Sequence, residues 1–267
     1  MNILINGCSF TGGSNVVHDE NTGMISNSGQ TTWATLFEEN NTVNNIAVGG
    51  NSNDKILRRT VEALDEKLYD LVIIQWTAIH RKERYSDRIS NWVNFCQDGR
   101  FVISNDFDIE KDSSSMYGFH TDNHKHMDKD NPQLKSTLKS YDKIAQGLTH
   151  DALYGKTIQD YRIEYFKNVV TLQQLLEKQN INYIFTSMSF ENHIPTIKNN
   201  NPFDFKIAKT RFETSILTQM DLSKWCRAPM THMMNQNVVS QNDGHPNEKG
   251  HKLIYSHILN ELNTLYG

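Results

Sequence analysis

Asn2-Ile3-Leu4-Ile5-Asn6-Gly7-Cys8-Ser9-Phe10-Thr11-Gly12-Gly13 is the stretch on which the fold turns. Its first half is a short apolar run and its second half is punctuated by glycine, the pattern of a buried strand passing through a tight turn into a helix or loop. Further along, Thr31 to Glu39 carries Trp33, Leu36 and Phe37 at helical spacing. Thr42 to Val48 then reads as a strand, and Gly49-Gly50-Asn51-Ser52 turns the chain again. From Asn53 to Leu68 the apolar positions Ile56, Leu57, Val61, Leu64 and Leu68 form one stripe, with Asp54 suited to the positive end of the helix dipole. Leu71 to Gln75 is another buried strand. This alternation builds a mainly parallel sheet with helices on both faces, so the expected class is α/β: a three-layer α/β/α, flavodoxin-like sandwich.

The rhythm breaks in the middle of the chain. From about Thr77 to Tyr154 the sequence is rich in Asp, Ser, Asn, Lys and His with little sustained periodicity, so residues 78–154 are expected to form a long insertion or lid. Thr157 to Lys178 regains a helical stripe through Tyr161, Tyr165, Phe166, Val169, Val170, Leu172, Leu175 and Leu176, and Asn182 to Met188 is the next core strand. Asp204 to Leu222 reads as helical. Asn247 to Tyr266 is an amphipathic terminal helix with Leu253, Ile254, Ile258, Leu262 and Leu265 on its inner face. At 267 residues the chain lies within the roughly 250–300 that one hydrophobic core supports, so a single domain spanning 1–267 is expected.

Composition narrows the partners. With 37% hydrophobic, 10% aromatic and 22% charged residues, the chain can fill a core and is neither disordered nor a coiled coil. Its 27 Lys+Arg against 31 Asp+Glu leave a net charge of -4, without the basic excess that nucleic acid demands. The longest apolar runs, such as Leu71 to Ile74, fall far short of the roughly 20 residues that span a bilayer, and no signal peptide is visible, so no membrane partner is expected. Cys8, Cys96 and Cys226 form no CxxC pair, which fits a reducing, cytoplasmic setting without disulfides.

Two segments carry residues suited to acyl transfer. Ser9 lies just past the first strand, where a parallel sheet presents reactive groups, although serine also occupies turns for backbone reasons alone. Gly7-xxxx-Gly12-Gly13-Ser14 is one residue from a phosphate-binding loop, but Gly13 replaces the lysine that would reach the phosphates. Near the other terminus Asp243-Gly244-His245-Pro246-Asn247 sets an acid and an imidazole in one loop, which is also a composition favoured by turns and helix starts. A serine hydroxyl becomes a nucleophile when an imidazole takes its proton, with a carboxylate holding the ring's tautomer.

Together these blocks resemble the SGNH hydrolases, the GDSL-like esterase and lipase superfamily. Gly7-Cys8-Ser9-Phe10-Thr11 is similar to the GDS(L) block with Cys8 in place of the acid, and the resemblance implies that Ser9 is the nucleophile. Asn45-Ile46-Ala47-Val48-Gly49-Gly50 resembles the second block, implying that Gly50 and Ser9 supply oxyanion-hole amides. Asp243 and His245 match the acid and base of the last block, with the acid two residues before the histidine rather than three and Asn242 at the three-residue spacing. The family's GxND block is replaced by Gln75-Trp76-Thr77-Ala78, which sets Thr77 at the asparagine position and leaves Gln75 or Thr77 to donate to the oxyanion. The implied activity is hydrolysis of a small acyl ester, a carbohydrate O-acetyl group being one candidate, without a cofactor. A binding module with a degenerate site of the same fold is the alternative, and a nucleotide-binding flavodoxin-like protein is a third reading.

Trp76, following a strand end, is the foremost candidate to stack on a sugar, ahead of Trp92, Tyr117 and Phe119. His120, Asp122, His124, His126 and Asp128 are dense in metal-binding side chains, but their spacing matches no zinc signature and the expected metal is none.

Overall fold

A computed structural model describes residues 1–13, 16–18, 25–27, 31–79, 81–86, 91–96, 101–103, 118–119, 158–189, 193–195, 211–239 and 244–267. Four strands, β1 (Asn2–Asn6), β4 (Thr42–Asn45), β5 (Leu71–Trp76) and β10 (Asn182–Ser187), form one parallel sheet in the order β10-β5-β1-β4. Ile3 pairs with both Val43 and Leu71, and Ile184 with Ile73. Between β1 and β4 lie α1 (Ser9–Gly12), β2 (Val16–His18) and β3 (Ile25–Asn27), which pair with each other, and a 3₁₀ turn over Thr35–Glu39. Among the described residues the further α-helices are α2 (Asn53–Glu66), α3 (Ile158–Lys178), α4 (Arg211–Leu217), α5 (Met230–Met233) and α6 (Glu248–Tyr266).

The two-residue period of the strands sorts the core into two layers. Leu4, Val72, Ile74, Trp76, Tyr183 and Phe185 pack with Ile56 and Leu64 of α2 and Tyr165, Phe166 and Val169 of α3. On the opposite face Ile3, Ile5, Ile73 and Ile184 pack with Trp33, Phe37, Met230, Ile254 and Ile258. The architecture is α/β/α, as the alternation required. Each such side chain contributes about 1.5–3 kcal/mol on burial, so the two layers supply most of the favourable free energy.

Local differences from the expectations have physical causes. The Thr31–Glu39 stripe forms a 3₁₀ turn, which still buries Trp33 and Phe37. Helix α2 stops at Glu66 and Lys67 adopts an extended conformation, so Leu68 leaves the inner stripe and stands 85% exposed. Helix α2 begins where the Ser52 hydroxyl accepts from the Lys55 amide at 3.2 Å. The 78–154 segment, which shows no sustained periodicity, contains an antiparallel sheet of β6 (Arg81–Ser86), β7 (Asn91–Cys96), β8 (Phe101–Ile103) and β9 (Gly118–Phe119) in that order. It is fixed to α2 by a two-pronged ion pair, Arg58 Nε and Nη2 on the Glu83 carboxylate at 2.9 Å each. Among the described residues no helix is long and apolar enough to cross a membrane.

Candidate active site

Strand β1 delivers Ser9 to the carboxyl edge of the sheet, and the turn that does so is held from beneath. Asn6 donates to Ile56 O at 3.0 Å and to Thr60 Oγ1 at 2.9 Å, and accepts from the Gly7 amide at 2.8 Å. Gln75 Oε1 accepts from the Cys8 amide at 2.9 Å and the Thr11 hydroxyl at 3.1 Å, while its Nε2 donates to Trp76 O at 2.7 Å. Only glycine fits at position 7, because a Cβ there would lie 2.5 Å from Thr11 Oγ1 and 2.8 Å from Gln75 Oε1. Ser9 opens α1 and is 6% exposed.

His245 arrives from the other end of the chain. Its carbonyl accepts from the Val239 amide at 2.8 Å, and two residues on Asn247 caps α6 by accepting from the Gly250 amide at 2.9 Å. The loop is therefore pinned on both sides of the imidazole. His245 Nε2 lies 2.8 Å from Ser9 Oγ across 236 positions of sequence. The Phe10 ring packs against His245 at 5.2 Å between centroids, and the Trp33 indole donates to Phe10 O at 3.0 Å. Behind them His251 Nδ1 accepts from the Trp33 amide at 3.3 Å. Burial, with a smaller contribution from the charge of His245, pushes His251 down to about 4, so it stays neutral at ordinary pH.

The third wall comes from the turn before α2 and the end of β5. Gly50 takes a positive φ of 76°, the region glycine alone enters without strain. Asn51 donates to Gly7 O at 2.8 Å, which ties this turn to the serine turn. Among the described residues neither the Ser9 nor the Gly50 amide has a hydrogen-bond acceptor. Asn53 grips the chain beyond β5, accepting from the Thr77 amide at 2.9 Å and donating to Thr77 O at 3.1 Å. Arg81 Nη1 donates to Thr77 Oγ1 at 3.0 Å.

Comparison with known proteins gives structural likenesses alone. Solved structures similar to this chain include TesA, at a TM-score of 0.48 and 11% identity over 99% of each chain. The psychrotrophic esterase EstA from Pseudoalteromonas sp. matches at 0.44 and 12% identity, over 99% of this chain and 97% of that one. A member of the lipolytic G-D-S-L family from Veillonella parvula matches at 0.41 and 12%, over 97% of each chain. No protein-family model and no curated protein matches the sequence.

Of the residues singled out in the sequence, Ser9 and His245 stand side by side and Gly50 lies in the turn tied to Gly7. Asp243 lies outside the described residues, as do Tyr117 and the His120 to Asp128 cluster. Two expectations need correction. Gln75 is not free to act as an oxyanion donor: it is wholly buried beneath the serine turn, its oxygen accepting from that turn and its NH₂ donating to the Trp76 carbonyl. Trp76 does not line a sugar groove. It points to the opposite face of the sheet, wholly buried with its ring edge-on to Tyr165 at 6.0 Å and Phe185 at 5.7 Å. Thr77, just past the end of β5, has its amide held by Asn53 and its hydroxyl by Arg81. Asn53, Arg81 and His251 carry no distinguishing signal in the sequence, where Asn53 opens a helical stripe and the other two stand in segments rich in polar residues.

Proposed function

We propose that this chain is a serine hydrolase of small acyl esters, carbohydrate O-acetyl groups among them. The observation that carries the reading is the 2.8 Å approach of Ser9 Oγ to His245 Nε2, made by residues from opposite ends of the chain at the carboxyl edge of a parallel sheet. Neutral His245 takes the Ser9 proton as Oγ attacks the ester carbonyl, and the Ser9 and Gly50 amides receive the negative oxygen. The tetrahedral adduct collapses, His245 returns the proton to the departing alcohol oxygen, and an acyl-serine remains. Water, deprotonated by the same imidazole, then releases the acid and restores Ser9. Asp243, two residues before His245, is the carboxylate assigned to hold the imidazole and stabilise its charged form, a role that rests on the sequence.

The burial of Gln75 and the tethering of Thr77 favour a second reading, a binding module that keeps the fold without the chemistry. Fluorophosphonate labelling and p-nitrophenyl acetate hydrolysis separate the two. The hydrolase reading requires labelling and turnover by the wild type, both lost in Ser9→Ala. A well-folded wild type that neither labels nor hydrolyses an ester panel leaves the binding module standing.

A further inference from the structure

The proposed reaction creates an oxyanion, yet the position where the resemblance calls for a side-chain donor is filled by Thr77, whose hydroxyl oxygen already accepts from Arg81. That contact brings a guanidinium to the place where the asparagine is missing. Arg81 differs from the other cations of this region. Arg58 is paired with Glu83 and Glu62, and Lys82 with Glu164 at 2.7 Å and Asp54 at 3.8 Å. Partly buried Arg81 makes no ion pair among the described residues, and its Nε is buried with no acceptor. Holding a partly buried cation with no counter-charge among the described residues is costly. Held on the residue that the resemblance sets at the oxyanion position, where negative charge appears only during reaction, Arg81 is suited to act as a preorganised electrophile.

We infer that Arg81, braced on the Thr77 hydroxyl, is the side-chain donor of the oxyanion pocket, replacing a neutral amide with a permanent positive charge. The inference rests on the serine hydrolase reading. When Ser9 Oγ bonds to the ester carbon, the carbonyl π electrons move onto oxygen, and a guanidinium N–H donates to that oxygen beside the Ser9 and Gly50 amides. When the alcohol leaves, the electrons return to the carbonyl and the contact weakens. The stabilisation belongs to the transition state, so it acts on kcat more than on KM.

The test uses the full chain, with p-nitrophenyl acetate as substrate and thermal midpoints recorded alongside. Arg81→Gln and Arg81→Met are each expected to lower kcat by about 10²- to 10³-fold, with KM changed less than about twofold. Guanidinium ion at millimolar concentration restores part of the loss in Arg81→Met and does nothing for the wild type. Unchanged kcat in either folded variant overturns the assignment. So does a raised KM at constant kcat, which would make Arg81 a binding group for a substrate anion, and so does a loss that tracks the melting temperature and resists guanidinium. A wild type that hydrolyses the ester only when Ser9 is present, beside an equally active Arg81→Gln, defeats this inference alone. An inert wild type defeats the hydrolase reading as well.

Discussion

Among the described residues the sheet carries two serine–histidine pairs at its carboxyl edge, and they differ in everything but distance. Ser9 Oγ stands 2.8 Å from His245 Nε2, and Ser187 Oγ at the end of β10 stands 2.9 Å from His193 Nδ1. Ser187 Oγ also lies 3.1 Å from Ser189 O, a carbonyl that competes with the imidazole for the single hydroxyl proton, whereas the second acceptor near Ser9 Oγ is the weaker Cys8 sulfur at 4.0 Å. Ser187 and His193 are wholly buried and six residues apart, with the His193 ring edge-on to Trp225. The first pair joins the ends of the chain where Ser9 is 6% exposed. A short oxygen–nitrogen distance therefore does not distinguish a nucleophile from a staple. Competition for the hydroxyl proton and access to solvent do.

The largest effects test that distinction directly. Ser9→Ala is expected to lower ester hydrolysis by on the order of 10⁴-fold or more, with little change in the urea unfolding midpoint. Ser187→Ala should leave hydrolysis within about twofold, while the unpaired His193 nitrogen costs roughly 1–3 kcal/mol of stability in urea titrations. Hydrolysis that survives the first substitution and vanishes in the second would exchange the roles of the two pairs. Next in size is the support beneath Ser9. A Gly7→Ala methyl must displace Thr11 Oγ1 or Gln75 Oε1, the groups that fix the turn. We expect a loss of about 10²-fold in kcat, comparable to removing one oxyanion donor, and about 1–3 kcal/mol of stability from overpacking. A Gly7→Ala enzyme with wild-type kcat would show that the Gln75 brace does not set the position of Ser9.

What could be read from the sequence follows from what kind of signal each part leaves. β1, β5 and β10 are short apolar runs, and the long stripes of α3 and α6 repeat every three to four residues, so the sandwich was visible. Ser9, Gly50 and His245 sit in short blocks whose residue types are unusual in combination. The errors cluster on β5. Leu71 to Trp76 is buried on both faces, so no polar alternation marks which side each residue takes. Gln75 faces the serine turn but has both ends of its carboxamide engaged in bracing it, and Trp76 faces the α2–α3 layer. Asn53 and Arg81 were invisible for another reason: polar residues at a helix start or beside an insertion have a sufficient local explanation, and only three dimensions bring them to Thr77. The antiparallel strand β6 left no clear signal because Arg81-Lys82-Glu83-Arg84-Tyr85-Ser86 is charged where a strand is usually apolar.

The smallest effect concerns acidity, and it separates the stapling histidine from the rest of the fold. Burial pushes His193 down to about 4, and His251 to about 4 by burial and the His245 charge, against an ordinary 6.5. The unfolded chain therefore binds more protons than the folded one between pH 6.5 and 4, and stability must rise with pH across that window. Above 6.5 both histidines are neutral in either state and their contribution is level. As pH falls toward 4 that contribution declines by up to roughly 3 kcal/mol for each histidine, at about 1.4 kcal/mol for every pH unit crossed. Unfolding free energies in urea at pH 7 and pH 4.5 should show this decline. His193→Gln, though less stable at pH 7 for want of the imidazole's packing on Trp225, should lose about half as much on acidification as the wild type. An identical decline in both proteins would mean that His193 can be protonated in place, and that the Ser187 pair is open to water like the pair at Ser9.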